Sequence, residues 1–226
     1  QHSIECGVIG SFIAKTMNYP QSEIEAFSTA MVLHDIGMIS VPQEILNKNG
    51  PLDPHETDTV RRHTSAGWDA LSDYPGADPL SLMTAAAHHV YADGNGYPGH
   101  IEFGQIPSLV HLATIVDHFV ALISDRPYRP AFSMHHAVKA IMAQKHKYHP
   151  AAFESFISTV GVYPIGTLLL LLTGEVAVVV RNNPENLFLP EVKLVLNASG
   201  KSYAKEFLVD LASELDRRPV QVVDNI

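Results

Sequence analysis

The chain has 226 residues, 46% of them hydrophobic, a globular composition long enough to bury a core as one domain or as one plus a small appendage. Its net charge of −9 excludes a groove for a nucleic-acid polymer, which needs clustered Lys and Arg. The single cysteine, Cys6, excludes an internal disulfide and fits a reducing, cytoplasmic setting, and the longest apolar run, residues 168–180, is broken by Thr173-Gly174-Glu175 and too short to span a bilayer. Thirteen histidines are the anomaly, several beside Asp or another His.

The chain begins at Gln1 inside a predicted helix and reads as a fragment whose upstream part is missing, with no signal peptide visible. Residues 2–18 form an amphipathic helix with Ile4, Val8, Ile9, Phe12 and Ile13 near helical spacing and His2 in the first turn. Pro20 breaks the pattern, and Ser22 is expected to cap a second helix ending in Met-Val-Leu-His34-Asp35-Ile-Gly37. Neighbours on a helix point about 100° apart, so His34 and Asp35 share an ion only near a helix end or bend. Gly37 is the expected source of that irregularity. Imidazole plus carboxylate suits Fe, Mn or Zn better than Ca or Mg.

Residues 42–47 are helical and 47–51 a turn. Asp53-Pro54 and Asp78-Pro79 are N-cap plus N1-proline signals. The helix after the first carries Arg61-Arg62-His63 and continues through Trp68 and Leu71, both expected in the core. The helix after the second is Ala-rich and ends in His88-His89. Burying two adjacent histidines without a partner or metal would cost several kcal/mol, roughly 2–7 by amide and hydroxyl precedent. Residues 91–107, with four glycines and two prolines, form a structured loop. Residues 107–124 are a strong helix with Asp117 in its middle, an acid expected to have a partner. Ser133 caps a helix to Gln144, and another runs from His149 to about Val160. Beyond a turn-rich hinge at 161–166, the runs 168–172, 175–181 and 192–197 are predicted strands. The expected architecture is mainly α over residues 1–160, with a small C-terminal antiparallel β appendage at 161–226.

His2, His34, Asp35, His63, His88, His89 and Asp117 each fall near a predicted helix end or on a buried face, enough donors for two ions with a shared carboxylate. Two ions can activate a hydroxide at neutral pH and stabilise an in-line phosphoryl displacement. The order resembles the HD-GYP family of cyclic di-GMP phosphodiesterases, a branch of the HD metal-dependent phosphohydrolases. The matching pieces are His2-Ser3, L-H-D-I-G at 33–37, L-N-K-N-G at 46–50, Arg62-His63, H-H-x-x-x-D-G-x-G-Y-P at 88–98, Ile106-Pro107, Asp117 and D-R-P-Y-R at 125–129. The resemblance covers about residues 1–160 and implies an HD-type helical bundle.

Carried over by position, it implies one metal on His2, His34, Asp35 and Asp117 and a second on Asp35, His63, His88 and His89, with His34 and Asp35 as the catalytic pair. Iron or manganese is implied. A third ion is held in some members by a glutamate whose position would precede Gln1. The resemblance further implies that the loop residues Asp93, Gly94, Gly96, Tyr97 and Pro98 shape the pocket rim and offer a contact for partner proteins of the diguanylate-cyclase type. Arg126, Arg129, Tyr97 and Met38 correspond to substrate contacts, and a homodimer is among the assemblies it allows. Three positions depart from the pattern: Met38 for Lys, Val120 for Asp and His111 for Arg. Losing a charge-assisted phosphate contact costs about 1.5–3 kcal/mol, so the expectations are slow turnover, a mixed cyclic GMP–AMP substrate, or a receptor with little catalysis. A hydrolase of another phosphoester is the remaining alternative.

Overall fold

A computed structural model describes residues 1–125 and 130–223; Arg126 and Arg129 lie outside the described residues. The chain divides into two compact units, Gln1–Phe132 with Ala140–Ser155, and Ser133–Lys139 with Phe156–Ile226.

The helical elements are α1 (His2–Thr16), α2 (Gln21–Leu33), α3 (Gln43–Leu46), α4 (Pro54–Arg61), α5 (His63–Ser72), α6 (Pro79–Ala87), α7 (Ser108–Ile123), α8 (Met134–Ala143) and α9 (Pro150–Val160). In the first unit α7 is the central rod. Leu109, Val110, Leu112, Ala113, Ile115, Val116, Phe119 and Val120 are all buried, so it is apolar nearly all round. α1 and α6 pack against α7, and α2 against α1 and α6. Gly10 of α1 fits against the Phe27 ring of α2, where a Cβ would sit 3.0 Å away. Ala85, Ala86 and Ala87 keep α6 thin enough to pack closely between its neighbours. Among the described residues no helix is long and apolar enough to cross a membrane.

The predicted caps divide into hits and one correction. Asp53 makes a full capping box with Glu56, and the Asp78 carboxylate accepts from the Leu80 N–H. Ser22 caps nothing: α2 starts one residue earlier, at Gln21, behind Pro20. Proline cannot continue a helix from its N-terminal side, so its fixed φ sets the start instead. Trp68 is 41% exposed and not core, while Leu71 is buried as expected.

The second unit carries a five-stranded antiparallel sheet in the order β4-β3-β2-β1-β5, built from β1 (Leu168–Leu171), β2 (Val176–Arg181), β3 (Glu191–Leu196), β4 (Leu208–Asp210) and β5 (Pro219–Val223). Leu169, Leu171, Ala177, Val179, Val192, Leu194, Val209 and Leu211 form its core by period-2 alternation. Beneath it, the Glu175 carboxylate accepts hydrogen bonds from Thr173, Tyr203 and Arg217.

Candidate metal centre

The centre is assembled from helix ends. α2 stops at Leu33; His34 keeps helical angles, but Asp35 (φ −98°, ψ 14°) turns into a short 3-10 helix, Ile36–Ser40. That break brings the two side chains to one point, as the sequence requires. The role of Gly37 differs from the expectation. It has no left-handed φ and does not end the helix. A Cβ there would lie 2.0 Å from the His63 carbonyl oxygen and 2.5 Å from the Gly67 nitrogen, so Gly37 lets the 3-10 turn lie directly on α5. This contact carries His63 to Asp35. His63 opens α5 where α4 ends, His88 caps the C-terminus of α6, and Asp117 projects from α7.

Three of the imidazoles are held in the same way. Nδ1 of His34 meets the Met31 carbonyl at 2.6 Å, Nδ1 of His63 meets Val60 at 2.7 Å, and Nδ1 of His88 meets Thr84 at 2.8 Å. A carbonyl only accepts, so each Nδ1 must carry the hydrogen and each neutral ring must present a bare Nε2. These nitrogens converge on Asp35. Its Oδ2 is 3.3 Å from His34 Nε2, while its Oδ1 is 3.3 Å from His63 Nε2 and 3.6 Å from His88 Nε2. Asp117 Oδ1 is 2.9 Å from His2 Nε2 and 3.6 Å from His34 Nε2, and its Oδ2 is 3.9 Å from His89 Nδ1.

Donor atoms on one ion at about 2.1 Å, at angles near 90–110°, lie about 3.0–3.4 Å apart, and the separations here run from 2.9 to 3.9 Å around that spacing. Two features fit a cation. His63 and His88 Nε2 face each other at 3.3 Å with both Nδ1 protons already committed, and the two residues are 2% and 0% exposed. His34 Nε2 and His2 Nδ1 are buried with no hydrogen-bond partner among the described residues. The donors sort into His2, Cys6, His34 and Asp117; His63, His88 and His89; and His34, Asp35 and His88, each group within 4.8 Å.

The ionisation states follow from this packing in the metal-free chain. Burial lowers His34, but the facing carboxylates of Asp117 and Asp35 outweigh it and raise the imidazole to about 10. Burial opposes ionisation of Asp35 and Asp117, yet their histidine partners hold both well below the usual carboxylate range. Burial, then the neighbouring His88, lowers His63 and takes His89 well below the ordinary imidazole value.

The loop at 93–98 is built onto this cluster. A Cβ on Gly96 would lie 2.2 Å from the His89 carbonyl oxygen, and the Tyr97 N–H donates to that oxygen at 2.9 Å. The Tyr97 ring therefore lies against His89, centroids 4.6 Å apart, and Arg61 lies over the same ring at 5.4 Å. Burial raises the Tyr97 phenol, which stays protonated. Pro98 follows it, Gly94 turns at φ +75°, and the Asp93 carboxylate accepts from Asn95 and faces His146 at 3.6 Å. Ile101, Phe103 and Ile106 anchor the rest of the loop on Val90 and Val110. Arg61, read from the sequence as part of a solvated face, is thus a rim residue. Met38 is half-buried in the 3-10 turn, three residues past Asp35. Val120 is fully buried in α7. His118 turns aside to Tyr148. Sequence reasoning missed Cys6, although its i+4 spacing from His2 on one helix face was legible.

The HD domain family profile matches residues 8–152. The chain belongs to the HD domain family. A second profile, a KOW domain associated with HD domains, matches residues 168–225. This HD domain is 32% identical over 96% of the chain to a Pseudomonas aeruginosa protein named cyclic di-GMP phosphodiesterase PA4108, of which it covers 53%. It is 31% identical over 59% of the chain to a Vibrio cholerae protein named 3'3'-cGAMP-specific phosphodiesterase 2, of which it covers 26%. The chain thus spans about half or less of these relatives' length. Its fold is shared with Bd1817, a HDG"Y"P protein from Bdellovibrio bacteriovorus, at a TM-score of 0.58 and 16% identity over 69% of this chain and 50% of that one. The HD domain family is metal-dependent, in keeping with the donor cluster.

Proposed function

We propose that this chain is a cyclic-dinucleotide phosphodiesterase with a two-ion centre, its catalytic domain at 1–160 and a β appendage at 161–226. The observation that carries the reading is Asp35. Its two oxygens face different sets of imidazole nitrogens, His34 on one side and His63 with His88 on the other. One ion is assigned to His2, His34, Asp35 and Asp117, the other to Asp35, His63, His88 and His89, with iron or manganese as the candidates. Bound there, such ions supply Lewis-acid charge and a water acidic enough to react at neutral pH.

The protein's own groups do the rest. The carbonyls of Met31, Val60 and Thr84 fix the imidazole directions. The protonated Tyr97 phenol can donate to a phosphate oxygen, and Arg61 brings positive charge to the rim. A cavity of about 450 Å³ beside His2, lined by Gln1, Glu5, Ser124 and Asp125, has the size of a small-ligand site. Its Glu5 and Asp125 would repel a phosphodiester, so cations at the centre would offset them. The names of the relatives direct the substrate to cyclic di-GMP or the mixed cyclic GMP–AMP.

The test is hydrolysis of both dinucleotides by the iron- or manganese-loaded chain. Turnover by the loaded chain, abolished together with the bound metal in Asp35→Ala, is expected. No turnover where an active relative works overturns the reading. Met38 favours a second reading, a receptor with little catalysis. A Met38→Lys variant that binds nucleotide but gains no rate would support it.

A further inference from the structure

Cys6 is the donor that this assignment leaves over. It lies one helical turn after His2 on α1, is fully buried, and places Sγ 3.6 Å from His2 Nε2. Its sulfur shares a 4.8 Å sphere with the donor atoms of His2, His34 and Asp117. His34 Nε2, completely buried and without a hydrogen-bond partner among the described residues, belongs to the same group. Sulfur at about 2.3 Å and nitrogen at about 2.1 Å on one tetrahedral ion lie about 3.6 Å apart, which matches the Cys6–His2 separation.

We propose that Cys6 is a thiolate ligand of the ion held by His2, His34 and Asp117, an inference that rests on the metal-centre reading above. Coordination breaks the S–H bond, forms a metal–sulfur bond, and releases the proton to water. The two halves of the centre then differ in chemistry. The half with sulfur favours thiophilic ions such as zinc, cadmium or cobalt(II) over manganese, whereas the half built on His63, His88 and His89 has only nitrogen and oxygen donors and no such bias.

The experiment is titration of the chelated chain with cobalt(II), followed by absorption and by counting bound metal. The wild type is expected to show a near-ultraviolet sulfur-to-cobalt charge-transfer band. Cys6→Ser and Cys6→Ala should lose that band while keeping the visible ligand-field absorption of the remaining cobalt. Loss of an outer-sphere partner already costs about 10–100-fold in metal affinity, so the cadmium-over-manganese preference of these variants should fall at least that far. Cobalt bound by the wild type without the sulfur band overturns the proposal and leaves the metal centre standing. A band that survives in both variants overturns it equally. Failure of the wild type to bind cobalt overturns the metal centre itself. Should both variants unfold, the presence or absence of the band in the wild type decides.

Discussion

Replacing Gly37 by alanine tests whether the centre depends on one backbone contact. The new Cβ would lie 2.0 Å from the His63 carbonyl oxygen and 2.5 Å from the Gly67 nitrogen, both main-chain atoms that cannot rotate away. Ordinary van der Waals separation is about 3.5 Å, so α5 must retreat from the 3-10 turn by about 1.5 Å. Overpacking of this kind costs about 1–3 kcal/mol. At about 2–4 °C per kcal/mol for a chain of this size, the midpoint should drop by about 2–12 °C. The functional effect is larger, because metal–donor distances tolerate only about 0.2 Å, and His63 moves with α5 away from Asp35. Thermal unfolding followed by circular dichroism, with metal analysis on the same sample, measures both effects. Gly99→Ala is the control, since nothing lies within 4 Å of its added methyl. A Gly37→Ala protein with unchanged midpoint and full metal content would refute the argument that this glycine seats His63.

Other outcomes follow from the same geometry. Asp35→Ala should empty both halves of the centre, because each of its oxygens faces a different half, and one full equivalent of metal retained would show that Asp35 is not shared. In the chelated chain His34 is raised to about 10 from 6.5. Its contribution to stability is therefore complete below 6.5 and lost as pH climbs through 10. The midpoint of the chelated wild type should fall across that window and that of His34→Gln should not; a flat wild-type profile contradicts the pairing with Asp35 and Asp117. Glu175→Ala leaves the Thr173, Tyr203 and Arg217 donors of the sheet unit without their acceptor. The cost is about 3 kcal/mol, read in a urea titration as a lower midpoint, and an unchanged midpoint would mean the network is not stabilising.

Much of the helical unit was legible because its signals are local. Asp53 and Asp78 before prolines, the apolar run of α7 and the breaks at His34 and His88 lie within single turns of chain. The histidines could be grouped for the same reason: each ends or begins a helix. The purpose of Gly37 could not be read, because its reason is a backbone 26 residues away in sequence, at His63. Trp68 misled because helical periodicity places a residue on a face without saying what lies opposite. Strands β4 and β5 escaped because one is three residues long and the other begins at Pro219, and both are defined by distant pairing with β3 and β1.

The seating of Gly96 and Tyr97 on the main chain of His89 has a consequence for anything that binds at the rim. The loop's outer edge, with Gly94 and Asn95 exposed, is joined to a candidate metal donor by one hydrogen bond and one close backbone contact. A macromolecule bound at that edge would reach the imidazole beneath through those two contacts. Linkage makes such influence mutual: a visitor that prefers the filled state tightens the hold on the ion by the same factor.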